Sequence, residues 1–106
     1  MPSDAERVKL ILTYDILPET QDLYYQFMLG EMVPAAQRLG LVMNGAWHTA
    51  YGDYPVRLVE FIGDDYDQVR ELLDNPRWAA YERRLLEFVT NYSKKVVPLR
   101  EDQFQF

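Results

Sequence analysis

Glu60 stands in the run Val56-Arg57-Leu58-Val59-Glu60-Phe61-Ile62, whose alternation sets its carboxylate on the same side as Val56, Leu58 and Ile62. A carboxylate buried in such an apolar layer without a partner holds its proton more tightly and could act as a general base or acid. The other reading places it near a sheet edge or in an ion pair with a helix arginine such as Arg70 or Arg83. His48 is the one histidine of the chain, and imidazole is the side chain that exchanges protons most readily near neutral pH. It serves either as a base or as a rim or interface residue hydrogen-bonded to a neighbour. Tyr14, Tyr24, Tyr25, Trp47, Tyr51, Trp78 and Tyr81 are numerous enough to wall a pocket for a planar ligand and to supply phenolic donors, although most also fall at core spacing. The site expected from these residues has Glu60 and His48 as catalytic groups, with Tyr14, Trp47, Tyr51, Trp78 and Tyr81 around the ligand.

Other chemistries are excluded by what the chain lacks. There is no cysteine, so no disulfide, thiolate metal site or nucleophilic thiol can form, and a single histidine cannot build a multi-histidine centre. No metal and no cofactor is expected. Asp64, Asp65 and Asp67 suggest a cation site on paper, but their place just before a helix fits capping and dipole complementarity better. The five glycines are isolated, without a phosphate-cradling run. A formal charge of -6 opposes binding to nucleic acid or an anionic membrane, and no stretch reads as a signal peptide or membrane span. The expectation is a cytoplasmic protein of one domain over residues 1–106, with an ordered core from about 7 to 100, since 106 residues suffice for one core.

The elements that position these residues follow from periodicity and turn signals. Val8 to Asp15 alternates as a strand. Glu19 to Leu39 keeps a helical apolar stripe that ends at Gly40, with Pro34 predicting a kink or break because it lacks the N–H that would bond Gly30. Leu41 to Tyr51 and Val56 to Ile62 form a hairpin across the turn Gly52-Asp53-Tyr54-Pro55. A symmetric closure would set Tyr51 against Val56, Trp47 against Glu60 and His48 against Val59. Asp65 with Gln68 opens a second helix, Asn75-Pro76 restarts it, and Tyr92 to Leu99 reads as an edge strand.

The order βαββαβ predicts an α+β, ferredoxin-like fold: one antiparallel sheet with helices on one face. In that register Val8, Leu10, Leu12, Tyr14, Leu41, Met43, Trp47, Tyr51, Val56, Leu58 and Ile62 face the helices. Ile11, Val42, Ala46, Val59 and Phe61 form an apolar cluster on the other face, rimmed by Lys9, Thr13, Asp15, Asn44, His48 and Arg57. An apolar cluster with a polar rim reads as an isologous interface, so a homodimer through the sheet face is expected.

The stretch Leu39 to Trp78, LGLVMNGAWHTAYGDYPVRLVEFIGDDYDQVRELLDNPRW, resembles the NIPSNAP-like branch of the dimeric α+β barrel superfamily. The matching features are the Gly-Ala-Trp opening of the hairpin, its glycine-containing turn, the aromatic strand that follows and the Asn-Pro-Arg-Trp helix restart. More weakly, the likeness runs from Tyr14 to Leu99. It implies a homodimer whose two sheets form a barrel, with a pocket between sheet and helices in each subunit. The superfamily includes cofactor-free monooxygenases, isomerases and haem-handling enzymes, in some of which a strand histidine catalyses or ligates haem; the Asn/Trp/His set of the haem-degrading branch is not matched here. The functional expectation is therefore a small homodimer that binds an apolar or aromatic small molecule between sheet and helices, as a cofactor-independent monooxygenase or isomerase. The alternative is a non-catalytic dimerisation or ligand-binding module.

Overall fold

The computed structural model describes residues 6–51 and 54–99, and the side chains of these except 49–51, 54 and 55. Four antiparallel strands, β1 (Val8–Ile16), β2 (Val42–Tyr51), β3 (Tyr54–Gly63) and β4 (Val89–Pro98), lie in the order β2-β3-β1-β4, which is the ferredoxin-like arrangement. The helices cover one face. Val8, Leu10, Leu12 and Tyr14 of β1 and Val59 and Phe61 of β3 meet Tyr24, Phe27, Met32, Val69, Trp78 and Leu85 in one buried cluster.

Between β1 and β2 the chain forms one continuous but irregular helical path. A 3-10 turn (Pro18–Thr20) leads into α1 (Gln21–Phe27), then a π turn (Met28–Met32), then α2 (Val33–Arg38). The disturbance expected at Pro34 is thus absorbed upstream. The Val33 N–H donates to the Met28 carbonyl five residues back, and this wider turn precedes the proline that cannot bond Gly30. Gly40 then takes the left-handed conformation, φ 103°, that ends the path.

The second helical segment is capped as its sequence predicts. Asp65 accepts the Gln68 N–H at 2.8 Å ahead of α3 (Tyr66–Leu73), and Asn75 accepts the Arg77 N–H at 2.8 Å ahead of α4 (Pro76–Leu85). Gln68 also donates to the Gly40 carbonyl at 3.0 Å, tying the start of α3 to the end of the first helical path.

The register corrects the expected faces. Tyr51 pairs with Tyr54, so the hairpin closes over two residues rather than four; Trp47 then faces Leu58 instead of Glu60, and His48 faces Arg57 instead of Val59. Between β1 and β3, Leu10 pairs with Phe61, Leu12 with Val59 and Ile11 with Glu60. Val59 and Phe61 therefore lie in the helix-covered core, while Leu58, Glu60 and Ile62 face away from it. The physical reason is burial: both alternations of β3 carry apolar residues, and the interior takes the pair that flanks the carboxylate. A bulge between Met43 and Gly45 also reverses the parity of β2. Met43 consequently shares the core face with Phe61, whereas Trp47 leaves it, and Ala46 and His48 turn to the helix side. Ile11 and Val42 do lie on the uncovered face as expected.

Candidate functional site

Three side chains form a row across the covered face at the hairpin end of the sheet. His48 of β2 is opposite Arg57 of β3, which is opposite Tyr14 of β1. Inter-strand spacing puts the two ends of this row about 10 Å apart. Helix α1 supplies Tyr24 and Tyr25 above it: the Tyr14 and Tyr24 hydroxyls are hydrogen-bonded at 2.5 Å, and the Arg57 guanidinium lies 5.6 Å from the centre of the Tyr25 ring. Tyr24 and Tyr25 pack edge to face at 4.9 Å, which fixes both rings. A second β-bulge extends the row. The register between β1 and β4 shifts around Asn91, whose φ of 56° is in the left-handed region, and Tyr92 turns to the covered face 6.2 Å from Tyr14. Tyr92 donates to Glu82 Oε2 at 2.6 Å, and Lys94 donates to the same oxygen at 2.8 Å.

These phenols are proton donors. Burial pushes the Tyr14 hydroxyl far above the usual phenol range, with the neighbouring Tyr24 adding to the effect. Burial also raises Tyr24, against the opposing influence of its bond to Tyr14 and of the Arg57 cation. Tyr92 is raised by burial first and then by its bond to Glu82. Arg57 adds a fixed positive charge whose Nε is buried without a hydrogen-bond partner. Tyr14 and Tyr24 thus form a sealed, mutually bonded phenol pair beside Arg57, whose charge and unused N–H are suited to an oxyanion.

Glu60 lies elsewhere. It is 9% exposed on the uncovered face, where Asn44 donates to Oε1 at 2.7 Å and Lys9 sits 3.5 Å from Oε2. Its cation is therefore a neighbouring strand lysine, and neither Arg70 nor Arg83. Trp47 lies beside it, half exposed, with its indole folded back over Gly45; a β-carbon at Gly45 would come within 2.7 Å of the ring. The sheet thus separates Glu60 and Trp47 from His48 and Tyr14, which the expected site had grouped together.

The other expected ligand contacts also disperse. Trp78 is fully buried, edge-on to Phe61 at 6.4 Å, with its indole N–H unpartnered. Tyr81 is half-buried on α4 and lines a groove on the outer side of the helices. The Tyr51 side chain lies outside the described residues. Arg57 is not legible from the sequence, because a symmetric hairpin register sets it with Val59 and Phe61 on the uncovered face. Tyr92 was hidden by the bulge. Among the described residues no group of three or more histidine, cysteine or acidic side chains could hold a metal ion. Among the described residues no helix is long and apolar enough to cross a membrane.

Together these features define a ferredoxin-like α+β protein with a polar, phenol-rich row between sheet and helices. Its fold is that of NIPSNAP-domain proteins and of antibiotic biosynthesis monooxygenase-like proteins. An uncharacterised NIPSNAP domain protein from Burkholderia xenovorans superposes with a TM-score of 0.67 at 16% identity, over 92% of this chain and 99% of that one. A NIPSNAP-like domain protein from the same organism gives 0.64 at 19% identity, over 95% and 91% of the two chains. An antibiotic biosynthesis monooxygenase-like protein from Nitrosomonas europaea gives 0.68 at 4% identity, over 98% and 100%. No family profile and no curated protein matches the chain at the level of sequence.

Proposed function

We propose that the chain is one protomer of a sheet-to-sheet homodimer that binds a small aromatic or carbonyl compound across the row His48, Arg57 and Tyr14. The observation that carries the binding site is the buried, unpartnered Nε of Arg57 beside two phenols held in their protonated form. His48, at the exposed end of the row, takes a proton from an activated carbon or hydroxyl of the substrate. The electron pair left behind passes to oxygen, and the enolate or phenolate is stabilised by Arg57, which the Tyr14–Tyr24 pair backs. This step opens both cofactor-independent oxygenation and isomerisation. Glu60 takes no part in it, because the sheet lies between them; its place is at the dimer interface.

The dimer reading is supported by the uncovered face itself. Ile11, Leu58, Ile62 and Val97 are buried or half-buried there without any helix over them, while Val42 and Trp47 stay 63% and 50% exposed. Closing that face against its own copy would remove this apolar surface from water and enclose Glu60, Asn44 and Lys9 as a paired polar group.

The catalytic step is tested by hydrogen–deuterium exchange at the carbon next to the carbonyl of β-tetralone, an aromatic ketone of suitable size, followed by proton NMR. Wild-type protein is expected to accelerate exchange over buffer of the same pH, His48→Ala to abolish the acceleration, and Arg57→Gln to reduce it about tenfold or more. Binding without acceleration in the wild type would reduce the site to a ligand-binding one, and absence of both would remove it.

A further inference from the structure

A groove of about 560 Å³ lies on the outer side of the helices, between α2 with the π turn before it and α4. Its walls are two facing helical stripes: Glu31, Ala35, Arg38 and Leu39 on one side, Arg77, Ala80, Tyr81 and Arg84 on the other. Each stripe keeps the three-to-four-residue spacing of a helix face that would ordinarily close on its neighbour. Two alanines sit where larger side chains would fill the gap, and arginines stand where apolar ones would seal it. The volume falls within the range of small-molecule sites.

The charges in the groove are not equivalent. Arg84 is fixed: both its terminal nitrogens bond the Glu31 carboxylate, and its guanidinium stacks 4.7 Å from the centre of the Phe27 ring. Arg38 and Arg77 have no acidic partner among the described residues. Three guanidiniums and one carboxylate leave a local charge of +2 in a chain whose net charge is -6. The groove thus combines two free arginines, whose guanidiniums match the planar, bidentate geometry of carboxylates, with the Leu39 side chain and the Tyr81 ring.

We propose that this groove is a binding site for a small aromatic dicarboxylate, with Arg38 and Arg77 taking its carboxylates and Tyr81 and Leu39 its ring. The site is independent of the row under α1, because the helical layer lies between them.

Titration calorimetry of the full chain at low ionic strength with benzene-1,3-dicarboxylate tests it, with the neutral diamide of the same ring and inorganic phosphate as comparison probes. The dicarboxylate is expected to bind one to one. Arg38→Ala and Arg77→Ala should each weaken it about tenfold, the loss of one charge-assisted contact. Glu31→Gln should strengthen it, since it removes the one anion of the groove, and Arg70→Ala, on the neighbouring helix outside it, should leave the affinity unchanged. The proposal is overturned by any of four results: no binding, equal weakening by Arg70→Ala, equal binding of the diamide, or phosphate binding as tight as that of the dicarboxylate. Both groove arginines are exposed, so their variants are expected to melt with the wild type, which circular dichroism checks.

Discussion

Tyr14 and Glu60 occupy neighbouring strands of one sheet and point to opposite faces, and the two faces treat a polar side chain differently. On the covered face Tyr14 is 1% exposed and bonded to another buried phenol, so neither hydroxyl exchanges freely with water. On the uncovered face Glu60 is almost as well buried, but its partners are Lys9 and Asn44, and Lys9 keeps 28% of its side chain in solvent. Beneath the helices burial suppresses the ionisation of these phenols. The open face instead holds a charge by pairing it at the surface, and leaves its apolar neighbours available for association. One sheet thus packs the core on one side and leaves an apolar, partly open surface on the other.

That division is broken first by comparing Phe61 with its neighbour Ile62. Phe61→Ala removes a fully buried ring from the covered face and is expected to cost about 3–5 kcal/mol in urea unfolding. Ile62→Ala, measured at concentrations that keep the chain monomeric, should cost less than half of that. Equal losses would mean that both faces carry the core. Next in size is Trp47→Lys, which places a charge on the edge strand of the uncovered face. It should weaken self-association by about 2 kcal/mol or more, read by sedimentation equilibrium, with unfolding of the monomer little changed. A wild-type chain that sediments as a monomer at micromolar concentration would remove the homodimer.

The phenol pair gives a test of similar or smaller size. Tyr14→Phe leaves the Tyr24 hydroxyl buried without its partner and should cost about 1–3 kcal/mol, whereas the double variant with Tyr24→Phe should recover part of that loss. Titration sharpens the same point. Tyr14, Tyr24 and Tyr92 ionise at higher pH in the folded chain than in the unfolded one, so the unfolded chain loses protons first as pH rises. Their contribution is complete below about pH 10 and falls above it, by up to about 1.4 kcal/mol per pH unit for a phenol that the fold keeps protonated. Replacing any of the three by phenylalanine should flatten this alkaline slope, in unfolding measured from pH 9 to 12. Smallest is Glu60→Gln, which should change monomer stability by about 1 kcal/mol or less, because its cation is a partly solvated lysine.

Element order was legible in the sequence because the signals that decide it are local. Asp65 and Asn75 cap where their side chains predicted, and the alternation of Val8 to Asp15 carried β1 to within a residue. The faces were not legible in the same way, because they depend on pairings between distant segments. VRLVEFI has apolar residues on both alternations, so only its register with β1 decides whether Phe61 or Ile62 lies inside. The bulge before Gly45 then separates Met43 from Trp47, although odd numbering places them together. Of the expected site, Tyr14 and His48 share the row. Trp47 and Glu60 fall away from it through those two displacements, and Trp78 fills the core.

Gly45 has one more consequence through the indole that lies on it. The chain has two tryptophans, and the fold gives them unlike surroundings: Trp78 is sealed in the helix-covered layer, while Trp47 is half open to solvent on the other side. Their fluorescence therefore carries two separate reports. Emission from Trp78 follows whether the chain is folded, and emission from Trp47 follows what, if anything, lies against the sheet. With Trp47 replaced by phenylalanine, or Trp78 by the same residue where the core tolerates it, folding and any contact made by the open face can be watched as distinct optical events in one small protein, with no label added.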